Sequence, residues 1–142
     1  REAVKALAFR CSMLGLAIDE FGQVYYAGAA NILDLPEFYD IDVTRTVLSL
    51  FDEYPALQDI IGKAQGSDPI HILFGDELGL EHLNPTGFVF TKYAVDSDEH
   101  NSLASQDKNG IIGVIGPARM NFSLVLPYVK YVRDLLVEAM RI

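Results

Sequence analysis

The sequence predicts an α/β or α+β layer in which helices cover a single sheet. Three observations lead there. Short β-rich runs begin near Gln23, Ile70, Gly87 and Gly110, and apolar residues recur at helical spacing at both ends of the chain. Half of the 142 residues are apolar, enough for one hydrophobic core. No internal repeat or second domain boundary interrupts the pattern, so residues 1–142 read as one domain.

Residues 1–20 read as a helix, with Ala3, Leu7, Leu14 and Ile18 on its apolar face and Phe21-Gly22 ending it. Gln23 to Ala27 reads as a strand closed by Gly28, and Asn31 to Asp40, containing Pro36, as an ordered loop. A helix is predicted from about Asp42, carrying Val43, Val47, Leu50 and Phe51. Pro55 suits the first turn of another helix, running to about Ala64. Gly66 to Pro69 is a turn cluster, and Ile70 to Phe74 a buried strand. Gly87 to Val95 and Gly110 to Ile115 read as two more strands, joined by the polar stretch Asp96 to Asn109, the best candidate for a mobile loop. The last helix is expected over Asn121 to Met140, with a stripe of Val125, Val129, Val132, Leu136 and Met140. Pro127 lacks an N–H, so an irregular first turn is expected before it.

Charge and composition then exclude classes of function. Lys and Arg number 11 against 20 Asp and Glu, a net charge of -9 that repels phosphate backbones. No run approaches the roughly 18 to 20 apolar residues of a membrane span, and no basic leader with a cleavage site is recognisable. Cys11 has no internal partner for a disulfide, in keeping with a reducing cytoplasm. Glycines 110, 113 and 116 lie along a strand and not before a helix, so they make no phosphate loop.

The most informative stretch is Gly113-Val114-Ile115-Gly116-Pro117-Ala118-Arg119-Met120-Asn121-Phe122, a strand entering a Gly-Pro turn with Asn121 placed to cap a helix. Arg119 is the one charge in this apolar junction and calls for a carboxylate or free carbonyls. Pairing two loops is its leading reading, and anchoring a ligand anion the other. Glu37 and Glu77 are the expected partners. Asp76 and Glu77 follow a strand directly, where acids can serve acid/base or metal chemistry, but no second catalytic group matches them. His71, His82 and His100 with Asp76, Glu77 and Glu81 fit no compact metal motif. Tyr25, Tyr26, Tyr128 and Tyr131 suit core or interface packing better than base stacking on so acidic a chain.

The same junction resembles the closing motif of the heat-inducible transcription repressor (HrcA) family, with Ala118 where the family usually has Thr and Phe122 where it has Tyr. These two replacements remove two hydroxyls from the junction. Val24 to Leu33 with Pro36-Glu37-Phe38, and Ile70 to Leu78, resemble two further family blocks in the same order. The resemblance runs from about Gln23 to Met140. It implies a GAF-like fold, a small central, mostly antiparallel sheet covered by helices, without the N-terminal winged helix that reads DNA. It further implies a non-catalytic, cofactor-free effector and dimerisation region of a cytoplasmic repressor of chaperone genes. Such repressors act as homodimers on an inverted-repeat operator and depend on the GroE chaperonin. Asn31, Glu37, Asp76, Glu77 and Arg119 are the expected ligand or clasp residues. Tyr128, Val132, Leu135 and Ala139 on the last helix are the expected interface. A GAF-like small-molecule sensor is the alternative, with its pocket lined by Asn31 to Phe38, Gly75 to Leu78 and Arg119.

Overall fold

The computed structural model describes residues 2–62, 70–78, 81–94 and 109–140. In chain order these form α1 (Glu2–Cys11), β1 (Leu14–Ile18), β2 (Val24–Ala27), α2 (Ala29–Leu33), a 3-10 turn (Pro36–Tyr39), α3 (Ile41–Ser49) and α4 (Tyr54–Gly62). There follow β3 (Ile70–Phe74), two further 3-10 turns (Gly75–Leu78 and Glu81–Leu83), β4 (Thr86–Ala94), β5 (Asn109–Pro117) and α5 (Phe122–Met140). The strands lie in the order β2-β1-β5-β4-β3, each neighbour antiparallel. Expected turn Gly66 to Pro69, most of the loop Asp96 to Asn109, and His100 lie outside the described residues.

Both faces of the sheet are buried. Leu14, Leu16, Ile18, Phe88, Phe90, Ile111 and Ile115 face one core, which also takes Ile32, Phe38, Val43, Val47, Leu57 and Ile60 from the α2–α4 layer. Ala17, Val89, Tyr93, Ile112 and Val114 face the other, packed by Val4, Leu7 and Cys11 of α1 and Val125, Val129 and Val132 of α5. The sheet is thus sandwiched between two helical layers. Alternation of side chains along each strand assigns successive residues to opposite cores.

This double burial explains the main correction to the sequence reading. The expected first helix, residues 1–20, is α1 followed by β1. Every residue of β1 is buried, so its Leu-Gly-Leu-Ala-Ile run shows no polar alternation and blends into the preceding helical pattern. The break sits at Ser12, whose φ of 55° is left-handed, while the Met13 N–H donates to the Ala8 carbonyl at 3.3 Å. That is a Schellman-type helix end made with Ser in place of the usual glycine, so no residue type announces it. The expected loop Asn31 to Asp40 is also corrected: it holds the end of α2 and the Pro36–Tyr39 turn. The last helix covers nearly the expected span, but it is α-helical ahead of Pro127 and not irregular there. It begins at Phe122, with the Asn121 carbonyl accepting from Leu124 and Val125. Pro127 and Ser123, whose carbonyl loses its donor, both lie on the solvent side.

Candidate functional site

The Gly116 to Phe122 junction is built from the ends of β4 and β5. Gly116 pairs with Gly87 and Pro117 with Thr86. Beyond the last pair, the Ala118 N–H donates to the Pro85 carbonyl at 2.8 Å and the Met120 N–H to the Pro117 carbonyl at 3.0 Å. This turn buries Met120 and projects Arg119 outward. Glycine is required within the strand leading to it: a Cβ on Gly113 would stand 2.6 Å from the Phe90 Cα of β4 and against the Val89 carbonyl.

Arg119 pairs with Glu37 across 82 residues of sequence. Its Nε donates to Oε2 at 2.5 Å and its Nη2 to Oε1 at 3.0 Å, a bidentate fork. The Pro36–Tyr39 turn presents Glu37, whose side chain is only 17% exposed, while Arg119 remains 61% exposed. The hydrogen bonds from Arg119 are the main cause holding the Glu37 carboxyl below the ordinary carboxylate range. Glu77, the other expected partner, does something else: its Oε1 accepts from the Phe74 N–H at 2.9 Å and closes the end of β3. Asp76 is exposed beside it.

Asn31 forms a second clasp. Its Nδ2 donates to the carbonyls of Ala8 at 3.2 Å and Met13 at 3.0 Å, tying α2 to the α1–β1 corner. Gly28 makes this possible. Its φ of 80° is left-handed, and a Cβ there would sit 2.6 Å from that of Ala8 and 2.7 Å from the Asn31 Nδ2. The residues expected to line a ligand pocket are thus largely engaged in internal contacts, with Ile32 and Phe38 in the core. A cavity of about 410 Å³ lies at the other end of the sheet, where Ile18, Ile61 and Ile111 meet Glu20, Gln58 and Lys92.

The remaining expected residues divide. Val132, expected at an interface, is buried against the sheet in the α1/α5 core, because its place on α5 continues the Val125–Val129 stripe. Tyr128 is half-buried, its ring 5.9 Å from that of exposed Tyr131, and Leu135 and Ala139 are exposed. His71 is buried with its ring 5.5 Å from Phe90, and His82 is exposed. Among the described residues no three His, Cys, Asp or Glu side chains are grouped to hold a metal. Burial pushes the Cys11 thiol up to about 11, against a smaller opposing effect of Arg10, so at neutral pH it is almost wholly protonated and a poor nucleophile. Asp19, inside the stretch expected to be the first helix, organises the β1–β2 turn. Its Oδ1 accepts from the N–H groups of Phe21 at 2.9 Å and Gln23 at 2.8 Å, and its Oδ2 from the Tyr25 hydroxyl at 3.2 Å. An Asp three residues before Gly22 is an Asx-turn signal that could have revealed it.

The family described as HrcA protein C terminal domain matches residues 3–126. Among similar relatives, the heat-inducible transcription repressor HrcA of Syntrophobacter fumaroxidans is 31% identical over 120 residues, 84% of this chain and 32% of the relative. That of Ruminiclostridium cellulolyticum is 32% identical over 113 residues, 79% of this chain and 30% of the relative. The chain therefore spans about a third of the length of the curated relatives it matches. Among solved structures, a hypothetical protein at 2.2 Å resolution aligns with a TM-score of 0.63 at 14% identity, covering 83% of this chain and 32% of that one. Myxococcus xanthus MglB aligns at 0.50 and 17% identity, covering 97% and 91%. These two likenesses concern the fold alone, which is α+β and GAF-like, as expected.

Proposed function

The chain belongs to the HrcA C-terminal domain family, and from that premise we propose that it is the regulatory and dimerisation region of a heat-shock transcription repressor, without catalytic activity of its own. The observation that carries this reading is the family match over residues 3–126. The site geometry agrees with it: the expected polar residues Asn31, Glu37, Glu77 and Arg119 bind one another or the backbone, and so hold the fold together. With a net charge of -9, the chain is poorly suited to hold an operator. DNA reading is assigned to a winged helix outside this chain, in a cytoplasmic protein. A GroE-type chaperonin that favours the folded dimer would raise repression by mass action. No described helix is long and apolar enough to cross a membrane.

The dimer contact in this reading is the outer face of α5, where Tyr128, Tyr131, Leu135 and Ala139 lie together. Its charges balance, Lys130 and Arg133 against Asp134 and Glu138, so two copies can approach there without repulsion. Sedimentation velocity tests it. A concentration-dependent dimer is expected, and Leu135→Glu should weaken it by about tenfold or more. A chain that stays monomeric at high concentration would sink the interface.

The cavity of about 410 Å³ supports a second reading, a small-molecule sensor, since its size falls in the range of ligand sites. Thermal-shift screening with metabolites distinguishes the two. A ligand-induced shift abolished by Lys92→Ala would favour the sensor.

A further inference from the structure

The charge of the molecule is polarised between its two helical layers. From α2 through α4, residues 29–62, the acids Asp34, Glu37, Asp40, Asp42, Asp52, Glu53 and Asp59 face a single base, Arg45, for a net charge of -6. In α1 and α5 the acids Glu2, Asp134 and Glu138 are outnumbered by Lys5, Arg10, Lys130 and Arg133, for +1. Within the acidic layer three large apolar side chains stand in solvent: Leu33 is 49% exposed, Tyr39 71% and Ile41 65%. The Tyr39 hydroxyl donates to the carbonyl of Asp34, which follows Leu33 in the chain, at 3.5 Å, and Ile41 opens α3 two residues after Tyr39.

We propose that the Leu33, Tyr39 and Ile41 patch docks a basic amphipathic segment of a partner protein. The patch is held in shape before any partner arrives. Beneath it Phe38 is buried, the Thr44 hydroxyl donates to the Phe38 carbonyl at 2.6 Å, and the Asp40 side chain accepts from the Asp42 N–H at 2.9 Å as an N-cap. Little ordering is then needed on binding, and an aromatic anchor such as Tyr39 on a fixed frame is typical of interface hot spots. Charge selects the occupant. A second copy bound through the same patch would oppose two layers of -6, and nucleic acid or an anionic membrane would be repelled likewise. Among the described residues, Glu37 is offset by Arg119 and Asp42 by Arg45, while Asp34, Asp52 and Glu53 have no cation within ion-pair distance. A cationic helix with an apolar stripe satisfies both features. This inference does not depend on the repressor reading.

The test is an NMR titration of the isotope-labelled 142-residue chain with a synthetic amphipathic peptide of lysine and leucine, beside its glutamate and leucine counterpart. Saturable shifts centred on residues 33–42 are expected for the lysine peptide alone, weakening with salt. Tyr39→Ser and Ile41→Ser should each raise Kd by about tenfold, since exposed anchors contribute to binding more than to folding. Melting of each variant checks that the fold is intact, and Leu135→Glu should leave the affinity unchanged. The proposal is overturned by absence of saturable binding, by shifts centred elsewhere, by equal binding of the acidic peptide, or by a dimer that Tyr39→Ser dissociates.

Discussion

The two helical layers reach the same burial of the sheet by different means. On one face, α5 lays 19 residues along the strands and buries Val125, Val129 and Val132, each contributing about 1.5 to 3 kcal/mol by leaving water. On the other, α2, the Pro36–Tyr39 turn, α3 and α4 are pieces of five, four, nine and nine residues. Helices that short are marginal by themselves, and most of these pieces are pinned by polar contacts. Asn31 ties α2 to the α1–β1 corner, Thr44 and Asp40 fix the start of α3, and Glu37 joins the turn to Arg119. One layer is held by a continuous apolar stripe, the other by clasps.

Core truncation should show the difference most strongly. Leu7→Ala in α1 and Leu57→Ala in α4 remove equally buried side chains, and each should cost about 3 kcal/mol in urea unfolding. Hydrogen exchange separates them: Leu7→Ala should lower protection throughout the sheet, Leu57→Ala mainly over residues 54–62. Equal global loss in both would erase the distinction. Next comes Asn31→Ala, which strips the carbonyls of Ala8 and Met13 of a donor and should cost about 2 kcal/mol.

Arg119→Ala should cost less, about 1 kcal/mol, because the pair faces solvent on one side. Arg119→Lys should fall between, keeping the charge and losing the fork. The pH dependence follows from the lowered Glu37 carboxyl. Its stabilisation is complete above the ordinary value of 4.5 and is lost as pH falls through the lower folded value. The gap between wild type and Arg119→Ala should therefore close in acid; a gap that persists there would mean Arg119 acts through packing. The smallest effect concerns Cys11, whose raised thiol should react with an aromatic disulfide reagent only after unfolding.

Legibility in the sequence follows the length and burial of each element. The long apolar stripe of α5 announces itself by period, although period alone shows neither that the helix is regular before Pro127 nor that Val132, expected both in the stripe and at an interface, faces the sheet. Strands β4 and β5 were bounded to within two residues by their glycines and apolar runs. Short helices and the doubly buried strand β1 were harder. A five-residue helix such as α2 leaves too few turns for a period, and β1 vanished because burial on both faces removes alternation. Arg119 was recognisable as a charge in need of a partner, but choosing Glu37 over Glu77 depended on which turn lay opposite it.

By itself, then, the sequence determined the acidic surface, the α+β class, the three ordered family blocks and the need to neutralise Arg119, since these follow from composition, period and motif order. The tertiary structure alone decided that Glu37 and Arg119 meet across 82 residues, that Asn31 reaches back to the corner after α1, and that Val132 faces inward. Contacts between residues distant in sequence depend on how the whole sheet is assembled, and no local pattern of residues encodes that geometry.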